Sequence, residues 1–217
     1  MKRIAIVIAL LAFGSRYADA LNFYVDPGYG KVRYADIIKP EQPYKLKLKV
    51  EFQRNARHLP KVDGVILKIV DRVIRASGFA IPVPDGDPGP DGLTIVLNDV
   101  VDMGKAVAKG VVTGMTLGLK GSTGADHYEM QVTAAIAGRT IAKSGYKHAI
   151  YTTVGLAKAP QGLPPLTAAK AIEKVVEELI LNFLGDLQTE INPPGGAVLP
   201  GAAAQPAAPV PPTSGLH

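Results

Sequence analysis

The sequence predicts an α+β two-layer sandwich, a mostly antiparallel sheet of about four strands carrying two amphipathic helices on one face. Three observations predict it. From Tyr44 to Gln53, the residues Tyr44, Leu46, Leu48, Val50 and Phe52 alternate strictly with Lys45, Lys47, Lys49, Glu51 and Gln53. That is the period of a strand with one buried and one solvated face. From Asp63 to Ser77, Val65, Ile66, Ile69, Val70, Val73 and Ile74 share one side of a helix, with Lys68, Asp71, Arg72 and Arg75 on the other. A longer stripe, Ile172, Val175, Val176, Leu179, Ile180, Phe183, Leu184 and Leu187, predicts a second helix from about Thr167 to Leu187.

Taken in order, the chain opens with the three parts of a secretory signal. Lys2 and Arg3 precede an apolar run from Ile4 to Phe13, and a polar stretch ends in Ala18-Asp19-Ala20. Cleavage is expected near Ala20, with Leu21 the first mature residue, which places the mature protein in a bacterial periplasm. Removing that segment lowers the net charge from +5 to +3. So small an excess, spread along the chain, gives no reason to expect nucleic acid as a partner.

With 47% hydrophobic and 20% charged residues among 217, the chain can build a core, expected as one domain over residues 44–190. It contains no cysteine, which excludes disulfides, thiolate nucleophiles, cysteine-ligated metals and the cysteine that anchors a lipoprotein. Residues 21–43, rich in Tyr, Gly and Pro, are expected as an extended lead-in. The row Lys45, Lys47 and Lys49 is expected to be the solvated face of its strand.

Asp63 is expected to cap the first helix and Gly78 to end it. Pro82, Pro84, Gly86, Pro88 and Gly89 predict a turn, and Leu93 to Val101 a second strand. Tyr128 to Ile136 and Thr140 to Val154 predict a hairpin about Ala137-Gly138-Arg139, with Gly145 marking a bulge. Thr167 is expected to cap the second helix, and Pro193-Pro194 forbids its continuation. Residues 191–217, dominated by Pro, Ala and Gly, are expected to be a disordered tail.

Between strand and hairpin lies the stretch Gly104 to Gly124. Ala106, Gly110, Gly114 and Gly118 stand four apart, so that a helix would gather small residues on one face. From Gly114 the pattern alternates, with Met115, Leu117 and Leu119 pointing one way. Lys105, Lys109 and Lys120 break the apolar run well short of the roughly 20 residues of a spanning helix, so no transmembrane helix is expected in the mature chain. Gly110, Gly114, Met115, Leu117, Gly118 and Leu119 form a candidate interaction surface.

The material for catalysis is thin. His58, His127, His148 and His217 are the four histidines. His127 and His148, in the two hairpin arms with Asp126 and Glu129 nearby, could face one another as a metal or acid–base pair. Asp85, Asp87 and Asp91 suggest calcium, but Gly89 and Val96 stand at the fifth and twelfth positions of that loop pattern, where ligands are needed. Ser122, Thr123 and Ser144 lack a nucleophile-elbow context, and the glycine-rich stretch has neither the GxxxxGK[ST] spacing of a phosphate loop nor the GxGxxG fingerprint. No catalytic residue, cofactor or metal site is expected.

Several phrases together carry a resemblance: Asp36-Ile37-Ile38-Lys39-Pro40, Val50-Glu51-Phe52-Gln53, Ala76-Ser77-Gly78-Phe79, Leu97-Asn98-Asp99-Val100, Lys109-Gly110, Thr113 to Leu119, and Asp126-His127-Tyr128. Over residues 36–185 the chain resembles a group of uncharacterised envelope proteins and lipoproteins of Gram-negative bacteria. That resemblance implies an envelope location and transfers no activity or site residue. The sequence thus leads to the expectation of an exported envelope accessory or structural protein, peripheral to the outer membrane. It would work without catalysis, through contacts with an envelope protein or the outer-membrane surface. A periplasmic lipid or small-ligand carrier is the alternative, and a hydrolase a third reading.

Overall fold

The computed structural model describes residues 21–89, 91–101, 122–154 and 157–192. The expected signal segment and all but the first two residues of the expected tail lie outside them. In chain order come β1 (Leu21–Val25), β2 (Tyr44–Arg54), β3 (Arg57–His58), α1 (Pro60–Ser77), β4 (Ala80–Val83), β5 (Gly92–Val100), β6 (Ser122–Ile136), β7 (Arg139–Val154) and α2 (Ala168–Ile191). One sheet runs β1-β7-β6-β5-β2-β3, with β4 also on β2. The pairs are antiparallel except β2–β5 and β2–β4, which are parallel. Both helices pack on the sheet and on each other. The α+β class and the mostly antiparallel sheet are as expected, but the strands number seven rather than about four.

Each extra strand escapes local pattern for a physical reason. β1 lies in the expected lead-in and is too short to display a period, although Phe23 and Val25 enter the core. β4 contains Pro82 where a turn was expected, and it pairs on one side only, the edge position where a missing N–H is tolerated. β3 is two residues long and closes a tight hairpin through Asn55 and Ala56, both left-handed at φ 50° and 61°.

α1 begins at Pro60, three residues before the expected cap, using the proline preference for a first helical turn. Asp63 instead ties the helix to the sheet: its Oδ1 accepts from the Phe52 N–H at 2.8 Å and its Oδ2 meets His58 Nε2 at 2.8 Å. Gly78 ends the helix with φ 71°, as expected. α2 is capped by Thr167, whose hydroxyl accepts from the Lys170 N–H, and runs past the expected Leu187 to Ile191. The β6–β7 hairpin turns at Ala137 and Gly138, and Gly145, φ 85°, sits at the register shift between Met130 and Val132.

The lead-in is held by α2. Asn182 accepts from the N–H groups of Lys31 and Val32, both at 3.1 Å, and donates to Tyr29 O at 2.8 Å. Gln188 accepts from Ile38 N–H and donates to Asp36 O. A Cβ on Gly185 would come within 2.9 Å of Val32, so glycine allows the segment to cross this closely. Asn182→Ala strips three backbone groups of their partner and is expected to cost about 1–3 kcal/mol. Urea unfolding measures it, with proteolysis at residues 29–33 becoming faster; an unchanged midpoint would show that the strap adds no stability.

Candidate functional site

On the helix-facing side of the sheet most inward positions are aliphatic or aromatic, and one row across it is polar. Phe52, Leu97, Met130 and Ile150 are buried there, and two residues from each stand Arg54, Asp99, Tyr128 and His148. The register aligns them: Arg54 opposes Asp99, Asp99 opposes Tyr128, and Tyr128 opposes His148. Four polar residues on four adjacent strands thus cross the sheet under the helices. Asp126, two residues before Tyr128, shares this face because a strand repeats every two residues.

At one end Arg54 Nε lies 3.2 Å from Asp99 Oδ2. Asp99 is 3% exposed, and its Oδ1 has no hydrogen-bond partner. The tight β2–β3 turn is fixed against this strand end, since Asn55 N–H donates to Asp99 O and Ala56 N–H to Asn98 Oδ1. Burial first, then the charge of Asp126, push the Asp99 carboxyl up to about 7 despite Arg54. Burial also raises Asp126, against the opposing charges of Arg54 and His127, and holds the Tyr128 phenol well above its usual range. Asp99, Asp126 and Tyr128 form the polar part of a cavity of about 30 Å³. Its remaining wall is apolar, including Phe23 of β1, Phe52 of β2, Val62 and Ile66 of α1, and Ile172 of α2.

At the other end His148, 1% exposed, donates from Nε2 to Glu178 Oε2 at 2.6 Å while its Nδ1 accepts from the Ala149 N–H at 2.9 Å. The Tyr29 ring lies 5.3 Å away. Asp26 accepts from Gly28 N–H and from the Tyr151 hydroxyl, which hold its carboxyl below the usual range. Gly30 passes so close that a Cβ would meet the Glu178 carboxylate at 2.6 Å. This end of the row binds the lead-in to the body, a structural task.

The pairing of His127 with His148 that the hairpin left open does not form. His127 opposes Ala149, while His148 opposes Tyr128, so the two imidazoles lie on opposite faces of the sheet. A one-residue offset in register inverts every side chain, and the hairpin turn sets that offset. Asp87 bonds the Gly89 N–H of its own turn, and among the described residues no cluster of three or more His, Asp or Glu could hold a metal. Lys45, Lys47 and Lys49 lie on the opposite face from the polar row. Gly110, Gly114, Met115, Leu117, Gly118 and Leu119 fall outside the described residues.

The carboxyl cluster was not foreseen, although one signal for it exists. Leu93, Ile95 and Leu97 set an inward series that Asp99 continues, and an acid in an inward register needs a reason to be there. Chemically the cluster can hold a proton near neutral pH or receive a positive charge.

No family profile matches the chain, and no curated protein sequence matches it. Among solved structures it is similar to a PelC dodecamer from Paraburkholderia phytofirmans, at 11% identity and TM-score 0.32, covering 69% of this chain and 92% of that one. A substituted form of that dodecamer gives 12% identity and TM-score 0.29 over 67% and 94% of the two chains. A crystal structure of an uncharacterized protein gives 8% identity and TM-score 0.25 over 69% and 92%. Likeness at this level assigns neither a family nor a function.

Proposed function

We propose that the protein is an exported, non-catalytic accessory protein of the cell envelope, acting by contact with an envelope protein or the outer-membrane surface. The N-terminal pattern of basic, apolar and small residues supports export. The observation that favours contact over carriage is the closure of the fold. Beside an open, partly polar hollow of about 330 Å³ between α1 and β4, the apolar cavity under both helices holds only about 30 Å³, against the several hundred Å³ of a typical enclosed ligand pocket. A lipid chain does not fit there. Among the described residues no helix is long and apolar enough to cross a membrane, which suits a peripheral attachment.

Fractionation of cells making the full precursor tests this reading. The expected result is a processed chain, beginning near Leu21, that sediments with envelope material. Replacing Gly110, Gly114 and Gly118 by leucine is expected to release it without changing its circular dichroism or melting temperature. An unprocessed chain, or one freely soluble with and without the replacements, would overturn the proposal.

A further inference from the structure

We propose that the Asp99–Asp126 end of the cavity under α1 and α2 is a binding site for a primary ammonium group, with the attached alkyl stem lying along the apolar wall. Three observations carry it, and none depends on the envelope reading. The first is the unpartnered Asp99 Oδ1 on a side chain that is 5% exposed and lines the cavity. A buried carboxylate oxygen without a partner is costly, and a hydrogen-bond donor brought into the cavity removes that cost.

The second is charge. Two carboxylates, Asp99 and Asp126, share the field of one guanidinium, Arg54, with His127 acting on Asp126 alone. When both acids are ionised, the cluster lacks one positive charge in a low-dielectric setting. The third is size and lining. A volume of about 30 Å³ exceeds the roughly 10–15 Å³ that a cavity must offer to hold one water, and it suits a head group of water-like size with the first part of its stem. An ammonium brings three donors and a full charge, whereas a planar guanidinium is too broad. A hard divalent cation wants six or more oxygens, and this apolar wall offers mainly the two carboxyl groups and a phenol. The cavity opens beside Val65 of α1, which lines it and is 42% exposed.

The same chemistry arrives either as a small free amine or as the lysine side chain of a partner. The purified full chain is titrated at about pH 8, where free Asp99 is ionised, with methylammonium or n-butylammonium chloride. Sodium chloride at equal ionic strength and n-butanol serve as controls, with melting temperature and amide NMR shifts as readouts. The expected result is a saturable rise of several degrees with the amines alone, shifts centred on Val100 and Tyr128, and affinity at least about tenfold weaker in Asp99→Asn. Asp126→Asn, at a less buried position, is expected to weaken binding too and serves if Asp99→Asn does not fold. Tighter binding of butylammonium points to a lysine side chain, equal binding to a free small amine. Equal effects from sodium chloride or butanol, no saturable shift, or undiminished binding in a folded variant would each overturn the proposal.

Discussion

Asp99→Asn is expected to flatten the pH dependence of unfolding between about pH 4 and 7. The folded chain raises this carboxyl to about 7, first by burial and then by the charge of Asp126, with Arg54 acting the other way. In the unfolded chain the same group titrates near 4. Between these values the folded state keeps a proton that the unfolded state has lost. The stability linked to that proton is therefore complete below about pH 4, declines as pH rises and is gone above about pH 7. A separation of some three pKa units corresponds to about 4 kcal/mol. The charged groups that set it are Arg54 of β2 and Asp126 of β6, with His127 acting through Asp126. Denaturant midpoints across this range should fall toward pH 7 in the parent and stay nearly level in the variant. An unchanged slope in Asp99→Asn would place the titration in another group.

The complementary change, Arg54→Met, removes the guanidinium that pairs with Asp99. At about pH 8 it leaves a buried carboxylate without its counter-ion, and removal of one partner from such a pair costs about 3–5 kcal/mol. At about pH 5 Asp99 carries its proton, and the cost should shrink to about 1 kcal/mol, that of a hydrogen bond. Combining Arg54→Met with Asp99→Asn should recover much of the loss at high pH, because the first change is harmful through the charge that the second removes. A urea-unfolding cycle of parent, two single variants and the double variant measures this coupling. Additive losses at both pH values would show that Arg54 stabilises by packing of its stem alone.

The elements legible in the sequence were those whose burial is written in a local period. Tyr44 to Phe52 alternates because one face of β2 meets the helices, and Val175 to Leu187 repeats at helical spacing because one face of α2 meets the sheet. Gly138 and Gly145 marked the hairpin turn and the bulge because both sites demand positive φ. β1 and β4 were not legible, since five and four residues form strands here only by pairing with β7 and β2. The carboxyl cluster lies further from view. Arg54, Asp99 and Asp126 come together because parallel β2–β5 and antiparallel β5–β6 pairings bring distant positions onto one face within two residues of register, and register between strands has no local signature. His127 and His148 show the converse: near one another in the hairpin, they are parted to opposite faces by a single residue of offset.

The strap of residues 29–38 across α2 has a consequence for the order of events in folding. Its bonds to Asn182 and Gln188 join positions 150 or more residues apart, and β1 pairs with β7, the last strand among the described residues. The N-terminal portion therefore has nothing to dock on until β7 and then α2 exist. Contacts of such long range form late and slowly. A chain with this wiring stays open while it is being synthesised and for some time afterwards. For a protein that must be threaded across a membrane before it folds, as the envelope reading requires, that delay keeps the polypeptide competent for passage.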